Sequence, residues 1–134
     1  MNKDNHLRAL VVDDSAAVRT SLSALLDAHP SLEVVGTADN GRDAVAKVEA
    51  LSPDLVVMDL QMPEMNGLDA TRNIRQRHPA VQVIVITMHD SGGIRAACRL
   101  AGAHGFVSKM AGIHEILDEI RRVFDRSSQS KGDE

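Results

Sequence analysis

Apolar and polar residues follow two periods along this chain, and the two take turns. Leu7 to Val12 is a short apolar run broken only by Arg8, and Leu32 to Ala38, Asp54 to Met58, Val81 to Ile86 and Gly105 to Ser108 are comparable runs. Runs of this length, rich in β-branched residues, predict strands. Between them the spacing lengthens to three or four. Val18, Leu22, Leu25 and Leu26 make one such face, Ala44, Val45, Val48 and Leu51 a second, and Leu68, Thr71 and Ile74 a third. Ile94, Ala97, Cys98 and Ala101 follow, and the last stretch carries Ile113, Ile116, Leu117, Ile120, Val123 and Phe124. Five amphipathic helices are predicted, with Arg72, Arg75, Arg77 and, later, Glu115, Asp118, Glu119, Arg121, Arg122 and Asp125 turned to water.

The punctuation agrees. Asn40 and Asn66 stand where side chains can cap the second and third helices, and Pro30, Pro53 and Pro79 sit at helix-to-strand joints. Gly92-Gly93 opens the fourth helix and makes that end mobile. Strand and helix thus alternate five times, which implies right-handed crossovers and a parallel sheet with helices on both faces. The domain is expected over residues 7–126, with 127–134 as a polar tail or truncated linker.

Chemistry concentrates where the strands stop. Leu55-Val56-Val57-Met58 is apolar throughout, as in a strand buried on both faces, and it ends at Asp59 before a loop. The first strand ends at Asp13-Asp14, the fourth at Thr87 and the fifth at Lys109. Parallel strands bring these ends to one sheet edge, and a sheet wound about its first and third strands would join Asp13, Asp14 and Asp59 at the topological switch point. Two carboxylates ~5 Å apart at an effective dielectric of ~20 repel by about 3 kcal/mol. A cation must offset this, and an oxygen-only, partly open site suits Mg²⁺, which can also accept a phosphate oxygen. Lys109 adds a point charge and Thr87 a hydroxyl, completing a phosphate cradle. Asp59 is the candidate nucleophile for phosphoryl transfer, with Asp13 and Asp14 as metal ligands.

Composition narrows the class. The chain has 134 residues, one domain's worth, with 43% hydrophobic and 25% charged residues. A net charge of -4, two Phe and no Trp or Tyr disfavour direct nucleic-acid binding by this segment. The single cysteine, Cys98, forms no internal disulfide and reads as a small buried hydrophobe. No run approaches a membrane span and the N-terminus has no signal-like apolar region, so a cytoplasmic location is expected. The six histidines show no pair at ligand spacing within an element and read mostly as surface residues.

Taken together, Val11-Val12-Asp13-Asp14-Ser15, the stretch from Asp54 to Gly67, Ile84-Val85-Ile86-Thr87 and Gly105-Phe106-Val107-Ser108-Lys109 resemble the receiver domain of a two-component response regulator. Residues 62–90 resemble the subfamily in which a helix-turn-helix DNA-binding domain follows (NarL/FixJ/LuxR-like). The resemblance implies a (βα)5 flavodoxin-like fold with strand order 2-1-3-4-5 and phosphorylation of Asp59 by a histidine kinase or phosphotransfer protein. It also implies dependence on Mg²⁺ held by Asp13, Asp14, Asp59 and the main-chain carbonyl of Gln61. Thr87 and Phe106 match the family's switch pair, which favours a switch role for Phe106 over that of a plain core residue. Homodimerisation through helix 4, strand 5 and helix 5, or through helices 1 and 5, is a further implication, and transcription would be the output.

Two departures stand out. Met88 is bulkier than the small residue usual after the matching threonine, and Met110 replaces a frequent proline after Lys109. A cis peptide there would cost ~3 kcal/mol without proline, which leaves that geometry open. Gln61, Met88 and His89 are candidates for tuning the lifetime of the phosphoryl group. Two rival readings are an aspartate-nucleophile phosphohydrolase and a phosphorylation-independent interaction module. The first lacks an acid/base carboxylate two residues after Asp59, where Gln61 stands; the second leaves the retention of all five strand-end groups without a purpose.

Overall fold

The computed structural model describes residues 6–62, 64–89 and 91–132, the last seven of these by backbone alone. Ten elements alternate without exception: β1 (Leu7–Val12), α1 (Ala16–Asp27), β2 (Leu32–Ala38), α2 (Gly41–Leu51), β3 (Leu55–Asp59), α3 (Gly67–Arg77), β4 (Gln82–Thr87), α4 (Gly92–Ala101), β5 (Gly105–Ser108) and α5 (Ile113–Gly132). The five strands form one parallel sheet in the order β2-β1-β3-β4-β5, as the resemblance implied. The β1–β2 register slips between Ala9 and Leu10, which leaves Val35 as an extra residue opposite β1.

The sheet separates two cores. One face packs Ala9, Val11, Leu55, Val57, Ile84, Ile86 and Val107 against α1 and α5 through Leu22, Leu26, Ile116, Ile120 and Val123. The other packs Leu10, Val12, Val56, Met58, Val83 and Val85 against α2, α3 and α4 through Ala44, Val48, Ala70, Ile74 and Cys98. Burial on both faces explains why β3 reads as an unbroken apolar run, all five residues of it buried.

Caps fix the helix starts. Ser15, Asn40, Asn66 and Ser91 each accept from the backbone N–H three residues on, which satisfies donors no helix can pair internally. Asn40 and Asn66 were expected to cap. Cys98 is buried, as its neighbours suggested.

Several expectations need correction. Leu25 was placed on the inward face of α1 but is 50% exposed, because α1 closes its contact with Leu22 and Leu26 alone. Arg75 is no solvated residue: its guanidinium donates to the carbonyls of Pro79, Gly102 and Val81, tying the end of α3 to the α4–β5 turn. Glu119 is also half-buried rather than outward. Strand β3 runs Leu55–Asp59 instead of starting at Asp54, whose carboxylate accepts from the Arg8 N–H at 2.9 Å. The backbone of α5 runs on to Gly132, into the stretch read as a polar tail or truncated linker; residues 133–134 lie outside the described residues. The Lys109–Met110 peptide is trans.

His104 departs from a surface role. Its Nδ1 accepts from the Val83 N–H at 3.0 Å, so that nitrogen must stay unprotonated. Burial, then the nearby Arg75 charge, lowers its pKa to about 4. The unfolded chain therefore binds a proton more readily than the folded one. This contribution is complete above pH ~6.5 and is lost as pH falls toward 4. His104→Asn keeps an acceptor for Val83 without the titration. Urea midpoints measured from pH 7 to pH 4 should fall less steeply in this variant, by about 1 kcal/mol across the window after solvent screening.

Candidate functional site

The strand order places β1 and β3 side by side at the centre, and their C-terminal ends deliver Asp13 and Asp59 to the same point. Both are almost fully buried, at 2% and 4% exposure, whereas Asp14 faces solvent. One carboxylate oxygen from each of the three lies within 4.8 Å of the others. Lys109, on the loop after β5, reaches between the two buried groups: its Nζ is 2.9 Å from Asp13 Oδ2 and 3.4 Å from Asp59 Oδ2.

The local fold holds this cluster rigid. Asp13 Oδ1 accepts from the Ser15 N–H at 2.9 Å, and the Asp13 carbonyl accepts from Arg19 Nη1 at 2.8 Å. Asp59 Oδ1 receives a long contact, 3.4 Å, from the Gln61 N–H. The Lys109 N–H donates to the Thr87 carbonyl at 2.8 Å, which sets the loop that carries the lysine. Gly67 is required at the far end of the β3–α3 loop: a Cβ there would come within 2.1 Å of the Asp59 carbonyl oxygen.

Electrostatics make Asp59 an unusual carboxylate. Burial is the largest influence, followed by the charge of Asp13, and together they outweigh Lys109 to raise its pKa from 3.8 to about 6. Burial alone would depress the ammonium of Lys109, yet the hydrogen bond to Asp13 and the charges of Asp59 and Asp13 hold its pKa above the ordinary value. One lysine thus faces two buried carboxylates and the exposed Asp14. An oxygen-only donor set with surplus negative charge fits a hard divalent cation such as Mg²⁺.

The five strand-end groups named from sequence, Asp13, Asp14, Asp59, Thr87 and Lys109, all lie on this edge. Thr87 is buried, and its hydroxyl accepts from the His89 N–H at 3.0 Å. Gln61 and His89 are exposed on the adjoining loops, and Met88 is 56% exposed. Phe106 sits two residues before the end of β5, half-buried against the α2–α3–α4 core.

The sequence matches the family described as response regulator receiver domain over residues 9–121. The chain belongs to that family. Its receiver domain is 40% identical over 118 residues to the response regulator GacA of Pseudomonas viridiflava, covering 88% of this chain and 55% of that protein. It is 46% identical over 119 residues to a protein-glutamate methylesterase/protein-glutamine glutaminase of a Nocardioides species, covering 87% of this chain and 32% of that protein. A crystal structure of a LuxR-family two-component response regulator from an Aurantimonas species superposes with a TM-score of 0.84 at 33% identity, over 88% of this chain and 84% of that one. The receiver domain therefore spans about half, or less, of the length of these curated relatives. No helix among its described residues is long and apolar enough to cross a membrane.

Arg19 and Arg95 had no place in the sequence reading, and Glu119 was read only as part of a solvated helix face. Arg19 follows the helix cap Ser15 by four residues and could have been noticed. Arg95 and Glu119 meet Phe106 only through the tertiary fold, since Arg95 stacks on its ring and Glu119 accepts from its N–H.

The receiver domain should gain stability from loss of the Asp59 charge. A pKa raised on folding favours the native state fully below about pH 4, and that contribution disappears as pH rises through about 6. Asp59→Asn, studied in chelator, should be more stable than the native chain by about 1–2 kcal/mol at pH 7.5, after discounting for Lys109 and nearby water. The difference should shrink between pH 6 and pH 4, read as thermal midpoints.

Proposed function

We propose that this receiver domain is a phosphoryl-activated switch in which Asp59 accepts a phosphoryl group from a histidine kinase or phosphotransfer protein. The observation that carries the reading is the pairing of two nearly buried carboxylates, Asp13 and Asp59, across a single lysine. Such an arrangement is costly unless further positive charge is brought to it, and a cation so held can in turn take a phosphoryl oxygen.

Asp13, Asp14, Asp59 and the Gln61 carbonyl would hold Mg²⁺, which supplies charge neutralisation for the phosphoryl oxygens. An Asp59 carboxylate oxygen attacks phosphorus, a P–O bond forms, and the P–N bond to the donor imidazole breaks; the imidazole leaves and takes up a proton from solvent. Lys109 swings from the two carboxylates onto a phosphoryl oxygen while remaining charged, a role its raised pKa suits. The Thr87 hydroxyl, released from the His89 N–H, donates to another oxygen. That movement biases a pre-existing equilibrium in which the Phe106 side chain changes position, altering the surface of α4, β5 and α5. Gln61, Met88 and His89, on the loops beside Asp59 and Thr87, set how readily water and donors reach the acyl phosphate.

No carboxylate stands two residues beyond Asp59, where the exposed Gln61 lies, so the reading is a switch and not a turnover phosphohydrolase. The regulator is proposed to act in the cytoplasm, with dimerisation through α4–β5–α5 or α1 and α5. Transcription is the favoured output, from likeness to the transcriptional regulatory protein DegU of Brevibacillus brevis and to a DNA-binding LuxR-family response regulator from Staphylococcus aureus. An esterase output is the second reading, from the 46% identity to the methylesterase.

Intact mass after incubation with acetyl phosphate tests the proposal. A gain of one phosphoryl group is expected with Mg²⁺, and none with chelator or in Asp59→Asn. Absence of any gain in the folded native chain, persisting in Met88→Ala, would overturn it; a gain restored by Met88→Ala would place the obstruction at that side chain.

A further inference from the structure

Phe106 is clamped from two directions by groups that the phosphoacceptor site does not contain. The Arg95 guanidinium of α4 lies over the ring, 4.6 Å from its centroid. Glu119 of α5 takes the Phe106 N–H at 2.9 Å through Oε2, a donor that edge strand β5 leaves without a sheet partner. The same oxygen is 2.7 Å from Arg122 Nη2, and this hydrogen bond is the first cause of the lowered Glu119 pKa, so the acceptor stays ionised. The negative charge of Glu119 in turn attracts Arg95. A cation over an aromatic face is thereby backed by an anion, on a strand whose backbone that anion also holds.

The ring has room to leave. Open volume of about 250 Å³ adjoins it, lined also by Cys98, Ala103 and His104. The helix that carries Arg95 opens on Gly92 and Gly93, whose missing Cβ atoms would meet nothing within 4 Å. Packing does not demand glycine at these positions, and they leave the first turn of α4, two residues ahead of Arg95, free to shift.

We infer that Arg95 is a positioning residue for the switch: its guanidinium, backed by Glu119, holds the Phe106 ring in the unphosphorylated position, and activation must release it. This deepens the proposed function and rests on it, since the lock matters only if Phe106 moves when Asp59 is phosphorylated. Neither Arg95 nor Glu119 touches the phosphoryl group. They act by setting the equilibrium on which phosphorylation operates.

With only two phenylalanines in the chain and no other aromatic of that size, phenylalanine-labelled NMR gives two ring signals, Phe106 and Phe124, the second an internal control. Spectra would be recorded with and without acetyl phosphate and Mg²⁺, on the native 134-residue chain, Arg95→Gln and Arg95→Lys. Without donor, the Phe106 signals of Arg95→Gln should move part-way toward those of the phosphorylated native chain, a population shift of about two- to fivefold. Phe124 should stay in place, and Arg95→Lys, which retains a cation, should lie nearer the native chain. A Phe106 spectrum unchanged in Arg95→Gln would overturn the lock, as would equal displacement by Gln and Lys, which would mean lost packing rather than lost charge. A native chain that gains the phosphoryl mass while Phe106 stays put would remove the switch role of the ring and the lock with it. A native chain that gains no mass would instead remove the underlying function.

Discussion

Asp13 and Asp59 are held side by side, nearly out of reach of water, by a sheet that could not place them otherwise. β1 and β3 are adjacent and parallel, and their ends coincide because Val12 pairs with Met58. Two buried carboxylates at this separation repel, and Lys109 offsets only part of that repulsion, as the raised pKa of Asp59 records. Hydrophobic burial along Leu10–Val12 and Val56–Met58 compels the arrangement, so core energy is converted into an electrostatic demand at the sheet edge. A divalent cation is the chemistry that such a demand fits.

The demand reaches the molecular surface through the edge of the sheet. β4 lies between the carboxylates and β5, so Thr87 and Lys109 share an edge with Asp59, while Phe106 lies two residues back along β5. α4 carries two glycines in its first turn with no steric need for them. Under the proposed lock, the arginine of this helix rests on a ring that moves, and a small change at Thr87 would be passed to it.

Much of this was legible in the sequence because the determining signals are local. Short β-branched runs, asparagine caps at Asn40 and Asn66 and prolines between elements fixed the order of ten elements. Parallel winding then gathered Asp13, Asp14, Asp59, Thr87 and Lys109 with no further information. What escaped was decided by partners distant in sequence. Arg75 looked like one member of an exposed basic stripe, yet it serves carbonyls as far away as Gly102, 27 residues on. Glu119 shares its helical face pattern with Asp118 and Glu115, and only the edge position of β5 draws it inward to Phe106. His104 is one histidine among six until the N–H of Val83 claims its ring. Leu25 has the right period for burial, but α1 has nothing beyond Leu22 and Leu26 to press it against.

The uncompensated charge shared by Asp13, Asp14 and Asp59 is the feature from which the rest follows, and a Mg²⁺ titration monitored by thermal unfolding reads it directly. The midpoint of the native chain should rise saturably with Mg²⁺ at constant ionic strength. The rise should be largely lost in Asp13→Asn, which removes one of the two buried carboxylates. No rise in the native chain, or an equal rise in both, would show that the carboxylates are not a cation site and would contradict the account.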